Sequence, residues 1–173
     1  QTFFEVFCST PVAPDADVYA GKLCAALDRQ HPRDLFDVRL LLDDSGITAD
    51  IRRAFVVYLA SHNRPIEEIL KPKVQDLTAA YESDFTGMVH NPPDIHELKA
   101  VQTQLPQLLI NALDSKEKAF LLSMKSGDPD WDALGIDGLD KMPALQWKLI
   151  NIRKMDANKR EEQFKMLQDL LGD

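Results

Sequence analysis

Residues 19–42 read YAGKLCAALDRQHPRDLFDVRLLL, and this stretch predicts two helices that are joined by a tight turn. Apolar residues recur at helical spacing before the His31-Pro32 pair and again after it. Proline disrupts a helix interior but fits the first turn of a helix, so Pro32 ends one helix and begins the next. We therefore predict one helix that ends near Arg29 and a second helix over about residues 33–43.

Five charged side chains of this stretch form the densest polar cluster in the chain, namely Lys22, Arg29, Arg33, Asp34 and Asp37. Lys22 and Arg29 are two helical turns apart, so a continuous helix carries them on one face. Asp37 has the spacing of a helical neighbour to both Arg33 and Asp34. Two basic side chains that face two carboxylates suit a phosphate ligand, because Lys and Arg neutralise phosphate oxygens while a carboxylate orients the cation or holds a metal. An ion-pair network that joins two helices has the same spacing, and spacing alone favours that structural interpretation.

Helix signals continue through the rest of the chain. Polar residues before apolar runs predict helix starts at Thr48, Asp94 and Asn158, and either Asp15 or Asp17 is predicted to cap the first helix. Pro106 is predicted to kink or split the helix that follows Asp94, because proline removes a backbone donor. In the helix after Thr48, the residues at apolar spacing are predicted to share one face: Ile51, Ala54, Phe55, Tyr58 and Leu59.

The start of the chain is different in character. Residues 2–9 (TFFEVFCS) are rich in Phe and Val and predict one strand, which Pro11 and Pro14 separate from the helices. A lone strand leaves its backbone groups unpaired, so we expect either partner strands upstream of residue 1 or self-association through residues 2–9. The predicted fold class is mainly α, a multi-helix bundle with one N-terminal strand. Its regions are the strand and connector (1–14), a helical region with the charged cluster (15–90) and a C-terminal helical region (91–173).

Composition excludes several classes of protein. The 173 residues carry 20 Lys and Arg against 28 Asp and Glu, and this net charge of -8 argues against a surface that binds nucleic acid throughout. No apolar run is long enough to cross a bilayer, so no membrane association is expected. Two cysteines cannot form a disulfide framework, and the start of the chain has no signal-peptide pattern. These features together predict a cytoplasmic location.

Other chemical motifs are weak. The four histidines have no partner at zinc-like spacing, and the seven glycines form no phosphate-binding loop, so no metal site is predicted in this chain. Trp131 and Trp147 are predicted to anchor the core rather than to stack on bases. The basic run that includes Lys148 is the best candidate to contact a nucleic-acid backbone, although a solvated helix face is the commoner explanation of such a run.

Residues 19–42 resemble the C-terminal motifs of the AbiEii/AbiGii toxin family of nucleotidyltransferases, and the similarity continues in the segments 85–88, 120–123, 128–131 and 142–152. The resemblance implies a fold related to polymerase-β-type enzymes and a role as a toxin of a bacterial toxin–antitoxin or phage-defence pair. It implies that Lys22, with Arg29 and Arg33 beside it, contacts nucleotide phosphates. It also implies that Asp37, with Asp34 as the alternate, completes the catalytic site.

The sequence departs from this family at its defining motif, a Gly-Ser turn followed by a D-x-D whose carboxylates hold two metal ions. Asp15 and Asp17 follow Pro14 in a connector or helix cap, and Asp128 and Asp130 flank a proline in a turn, so neither pair fits the motif. We therefore expect this chain to be the C-terminal portion of such an enzyme, with residues 2–9 as the last strand of its catalytic sheet.

Two functional hypotheses follow. In the first, the chain is the helical part of a nucleotidyltransferase-like toxin, supplies phosphate contacts and is inactive alone. The resemblance then implies Mg²⁺ and a nucleoside triphosphate in the complete enzyme, with neither cofactor expected in this chain alone. Its implied partners are a nucleotide, an RNA acceptor and a cognate antitoxin. In the second, the chain is a helical protein-binding or oligomerisation module with no catalytic role, and the charged cluster is purely structural.

Overall fold

A computed structural model describes residues 12–172, and every regular element in this range is helical. The predicted mainly α architecture is thus confirmed for these residues. The predicted strand over residues 2–9 lies outside the described range, and both it and the self-association that it implies stay predictions. None of the helices in residues 12–172 has the length and apolar character that crossing a membrane requires. The α-helices are α1 (Asp15–Asp28), α2 (Pro32–Asp44), α3 (Ala49–Ser61), α4 (Ile66–Leu70), α5 (Thr78–Ala80), α6 (Ile95–Ala112), α7 (Ser115–Ser126), α8 (Pro143–Lys154) and α9 (Ala157–Leu171).

Side-chain caps determine where most of the longer helices begin. Thr48 accepts a hydrogen bond from the Ile51 amide at the start of α3, and Asp94 accepts one from the His96 amide at the start of α6. These two starts confirm the predictions. The prediction for α9 is wrong, because its cap is Asp156, whose carboxylate accepts from the Lys159 amide.

The first helix has no side-chain cap. It begins directly after Pro14, with Asp15 and Asp17 both inside its first turn, so the prediction that one of them caps the helix is wrong. Their carboxylates still suit this position, since negative charge in the first turn complements the positive end of the helix dipole.

Helix α6 runs without interruption through Pro106, so the predicted split does not occur. Its buried side chains, which include Leu98, Leu105 and Leu109, lie on both sides of the proline. The local cost of a proline in a helix is about 3 kcal/mol, and burial of one large apolar side chain contributes roughly 1.5–3 kcal/mol. Packing of the continuous apolar stripe therefore outweighs the missing backbone bond.

Helix α1 is the central element of the packing. It contacts α3 and α2 along its length and also touches α4 and α6, while α7 packs on α9 and α8 packs on α3. A single apolar core includes residues from both sides of residue 90, among them Leu23, Phe55 and Phe120. The division of the chain at residue 90 stays a prediction. The buried residues of α1 include Leu23, Cys24 and Leu27, and its charged residues Lys22 and Asp28 pair with Asp37 and Arg64 at the surface of this core.

The two tryptophans have different environments. Trp131 packs against the core with its ring centroid 6.4 Å from that of Phe120, as predicted. Trp147 is 64% exposed on α8, so its prediction as a core anchor is wrong. The apolar stripe of α8 is instead formed by Leu145, Leu149 and Ile152, which places Trp147 on the outer side of the helix.

Candidate functional site

The turn between α1 and α2 is held in a left-handed backbone conformation. Gln30 has φ 53°, which costs a non-glycine residue about 1–2 kcal/mol. Its buried amide offsets this cost, because its Nε2 donates to the Lys73 carbonyl at 2.9 Å and its Oε1 accepts from the Gln75 amide and from Gln102 Nε2. Two other parts of the chain thus fix the turn, and with it the position of α2 against α1.

Two ion pairs join α1 to α2 across this turn. Lys22 Nζ lies 2.6 Å from Asp37 Oδ2, and Arg29 Nη2 lies 2.9 Å from Asp34 Oδ1. The structure thus brings together four of the five charged residues that the sequence singles out. The fifth, Arg33, is exposed at the start of α2 and forms no ion pair with Asp34 or Asp37.

The two pairs differ in burial. The side chain of Asp34 is only 2% exposed, whereas its partner Arg29 is 59% exposed, so the guanidinium lies between the buried carboxylate and the solvent. Within the described residues the second carboxylate oxygen of Asp34 has no hydrogen-bond partner. Lys22 and Asp37 are both partly exposed, at 37% and 29%. Neither basic side chain is enclosed in the interior.

Both basic side chains line a shallow groove of about 380 Å³ on the outer side of α1. Lys22 and Arg29 therefore share one face, as their spacing predicts. Asp34 and Asp37 do not line the groove, so its charged lining consists of the two cations and the carboxylate of Asp17. The remaining lining residues come from α1, from the connector before it and from α3: Ala13, Asp17, Val18, Gly21, Ala25 and Tyr58.

A second, larger cavity of about 660 Å³ adjoins this groove. Asp17 and Tyr58 line both spaces, so the two meet at these side chains. The larger cavity is otherwise formed mainly by α3, by the segment that leads into α8 and by Ala144 near the start of α8. Together the two spaces provide a surface with a cationic end and a mainly apolar end.

Sequence reasoning missed the role of Tyr58 in this surface. Ile51, Phe55 and Leu59 are buried on the apolar face of α3 as predicted, but Tyr58 is 41% exposed and points into the groove region. Helical spacing identifies an apolar stripe without fixing its edges, and Tyr58 lies at such an edge. The signal that could have found it is the amphipathic nature of tyrosine, which favours a boundary between core and solvent.

The resemblance implies Mg²⁺ for the complete enzyme, and the described residues do not fit this ion. Within residues 12–172 no group of three or more His, Cys, Asp or Glu side chains is arranged to hold a metal. Asp34 and Asp37 each have one carboxylate oxygen paired with a cation, and no third acidic, histidine or cysteine ligand of the described residues completes a site around them.

The basic run on α8 has a structural role at Lys148. Its ammonium group donates to the carbonyl oxygens of His62 and Arg64, at 2.6 and 2.8 Å, just after the end of α3. Burial is the main cause that lowers the pKa of Lys148 to about 8. Lys148 thus connects α8 to the segment after α3 through hydrogen bonds and is not a fully solvated surface residue.

Comparison with known proteins identifies one family. A family model described as "Nucleotidyl transferase AbiEii toxin, Type IV TA system" matches residues 2–151, which include the charged cluster and both cavities. No curated protein and no solved structure matches the chain significantly.

Proposed function

This chain belongs to the AbiEii family of nucleotidyltransferase toxins, and on that premise we propose that Lys22 and Arg29 bind the phosphates of a nucleotide. The observation that carries this proposal is the polarity of the α1–α2 pairs. Both cations line the groove, and neither of the carboxylates with which they pair does. A phosphate in the groove would therefore meet the positive ends of the pairs first.

The existing ion pairs are compatible with a bound phosphate. An ammonium group has three donors and a guanidinium has five, so each cation can keep its carboxylate and still donate to phosphate oxygens. Asp37 and Asp34 then act as positioning residues, because each holds its cation toward the groove. We assign no such role to Arg33, which forms no ion pair with Asp34 or Asp37 and does not line the groove.

We propose further that the helical part binds nucleotide without transferring it. Nucleotidyl transfer in this class uses metal ions held by free carboxylates. The carboxylates of the cluster are instead paired with Lys22 and Arg29, which supports a role in binding the phosphates over a role in holding metal.

The test is nucleotide binding by the variant Lys22→Ala, measured by isothermal titration calorimetry with each of the four ribonucleoside triphosphates. A hydrogen bond to a charged group contributes about 1.5–3 kcal/mol, so we expect the dissociation constant to rise roughly tenfold or more. The free energy of unfolding should change by about 1 kcal/mol at most, because the Lys22–Asp37 pair is partly exposed.

Lys165→Ala is the matched control, since it removes the same charge from an exposed ion pair with Glu161 on α9. It should leave nucleotide binding unchanged. Binding that survives Lys22→Ala while stability falls would contradict the proposal and identify the cluster as a structural ion-pair network.

One observation favours a second candidate function, that of a helical protein-binding module. Trp147 and Ile150 are exposed at neighbouring positions on α8, at 64% and 43%. Exposed aromatic and aliphatic side chains on one helix face are typical of protein interfaces. The family description refers to a toxin–antitoxin system, so a cognate antitoxin is the candidate partner for this face.

A further inference from the structure

We infer that Tyr58 stacks on the base of the nucleotide whose phosphates Lys22 and Arg29 bind, so that the two adjoining cavities receive the two ends of one ligand. This inference rests on the proposed function and adds to it a direction for the bound nucleotide. The phosphates occupy the groove on α1, and the base occupies the larger cavity beside α3.

Tyr58 has the position that such a contact requires. It lies on α3 at the junction of the two cavities and lines both of them. Its ring is 41% exposed, whereas Phe55 and Leu59 beside it on α3 are fully buried. Aromatic rings bind nucleobases by stacking whatever the base, because every base has a π face.

Helix α1 lies close to this ring at Gly21. A Cβ atom added at Gly21 would lie 3.6 Å from Tyr58 Cε1, which is ordinary van der Waals contact.

The charges of the two cavities determine which end of a nucleotide each one accepts. The groove has Lys22 and Arg29 and suits phosphate. In the larger cavity Arg53 is already bonded to Asp50 at 2.5 Å, and Asp17 adds a second carboxylate. Asp17 lines both spaces, so the charged side chains give the groove a net charge of +1 and the larger cavity a net charge of -1. This difference favours phosphate in the groove.

The lining of the larger cavity suits a flat ring. Ala54, Val57, Ile136, Leu139 and Met142 supply apolar contacts, with Ser61 as a hydroxyl donor or acceptor. Its volume of about 660 Å³ lies within the range typical of small-molecule sites. Asp17 lines both spaces and offers its carboxylate oxygens as acceptors to the ribose hydroxyl groups.

The test compares the binding of two probes by the full chain in calorimetry: each ribonucleoside triphosphate, and inorganic tripolyphosphate, which has no base. Wild-type protein should bind at least one ribonucleoside triphosphate more tightly than tripolyphosphate. Tyr58→Ala should raise the dissociation constant of that ribonucleoside triphosphate about fivefold or more. This is the low end of the loss in affinity that follows truncation of a stacking side chain. It should leave tripolyphosphate binding unchanged.

Two further variants serve as controls. Tyr58→Phe keeps the ring and should retain the wild-type affinity for the ribonucleoside triphosphate. Trp147→Ala removes an exposed aromatic ring that lines neither cavity, and it should leave the binding of both probes unchanged. Circular dichroism of each variant checks that it is folded.

The outcomes separate this inference from the proposed function. If Lys22→Ala weakens the binding of both probes but Tyr58→Ala weakens the binding of neither, the inferred stacking contact is wrong and the proposed phosphate site is supported. If wild-type protein binds both probes equally, the base makes no contact, and this result overturns the inference even where Tyr58→Ala fails to fold. If Lys22→Ala weakens the binding of neither probe, the proposed phosphate site is wrong, and so is the orientation of the nucleotide inferred from it.

Discussion

Lys125 and Glu67 form a charged pair inside the protein, where neither side chain is more than 8% exposed. The ammonium group of Lys125 donates to both oxygens of Glu67, at 2.9 and 2.8 Å, and to Gln163 Oε1 at 2.9 Å. All three donors of the ammonium group are therefore used. The pair links α4 to α7, and Gln163 adds α9 to the same contact.

Removal of the Lys125 ammonium should be costly because it leaves a carboxylate buried without its partner. For Lys125→Met we expect a loss of about 3–5 kcal/mol in the free energy of unfolding, measured by urea denaturation. Lys165→Ala is the control, since it breaks an exposed pair and should cost about 1 kcal/mol or less. A loss for Lys125→Met no larger than that of the control would contradict the description of this pair as buried.

At the residue scale, the sequence predicted which charged side chains lie near one another but not how buried each is. Spacing alone groups Lys22 with Arg29 and Asp34 with Asp37, and the structure has both groups facing each other. Spacing cannot tell that Asp34 is enclosed while Asp37 is partly exposed. That difference depends on the packing of α2 against other helices, which spacing does not encode.

The start of α7 combines a capping box with an ion pair. Asp114 accepts from the Glu117 amide at 2.9 Å, Glu117 Oε2 accepts from the Asp114 amide at 2.9 Å, and Arg52 Nη2 donates to Asp114 at 3.0 Å. The hydrogen bond from the Glu117 amide is the main cause that lowers the pKa of Asp114, and the charge of Arg52 adds to it. The folded state thus favours the ionised form of this carboxyl.

This shift predicts a pH dependence of stability. Because the folded-state pKa lies below the ordinary value of 3.8, the stabilisation is fully present above that pH and is lost as the pH falls through the folded-state pKa. Asp114→Asn keeps a capping side chain and removes the charge. The difference in unfolding free energy between wild type and this variant should therefore be positive at pH 6 and shrink below about pH 4.

A matched control for this prediction is Asp44→Asn, which removes a carboxylate from an exposed position at the end of α2. The difference in unfolding free energy between wild type and Asp44→Asn should vary much less over the same pH range. If the difference in unfolding free energy between wild type and Asp114→Asn stays constant from pH 6 to pH 2, the cap does not depend on the ionised carboxyl and the prediction is wrong.

At the element scale, local signals predicted most helix boundaries, and packing explains the exceptions. Thr48 and Asp94 begin helices because their side chains satisfy exposed backbone donors, which is a local effect. Pro106 does not split α6 because buried leucines on both sides of it hold the helix together. A single sequence shows the local cost of a proline but not the tertiary contacts that offset it.

At the scale of the whole molecule, the candidate site lies on the surface of helices that pack into the core. Helix α1 packs on α2, α3, α4 and α6, and Lys22 in this helix and Arg29 at its C-terminal end line the groove. The cations are thus on a rigid element, a condition that favours a defined position for a bound phosphate. Residues from both sides of residue 90 contribute to the core behind this element.

We expect the whole chain to bind nucleotide without transferring it. Incubation with labelled ribonucleoside triphosphates, Mg²⁺ and RNA should give no labelled product, because residues 12–172 bring together no group of three or more side chains that could hold the metal ions. Transfer that is lost in Lys22→Ala would show instead that this chain supplies the catalytic carboxylates itself.

The most direct measurement is a crystal structure of the full chain with a bound ribonucleoside triphosphate. We predict phosphate oxygens within hydrogen-bond distance of Lys22 Nζ and the Arg29 guanidinium, with the base against the Tyr58 ring. A nucleotide bound at another surface, with the groove beside α1 empty at a saturating ligand concentration, would contradict a phosphate-binding role for the α1–α2 cluster.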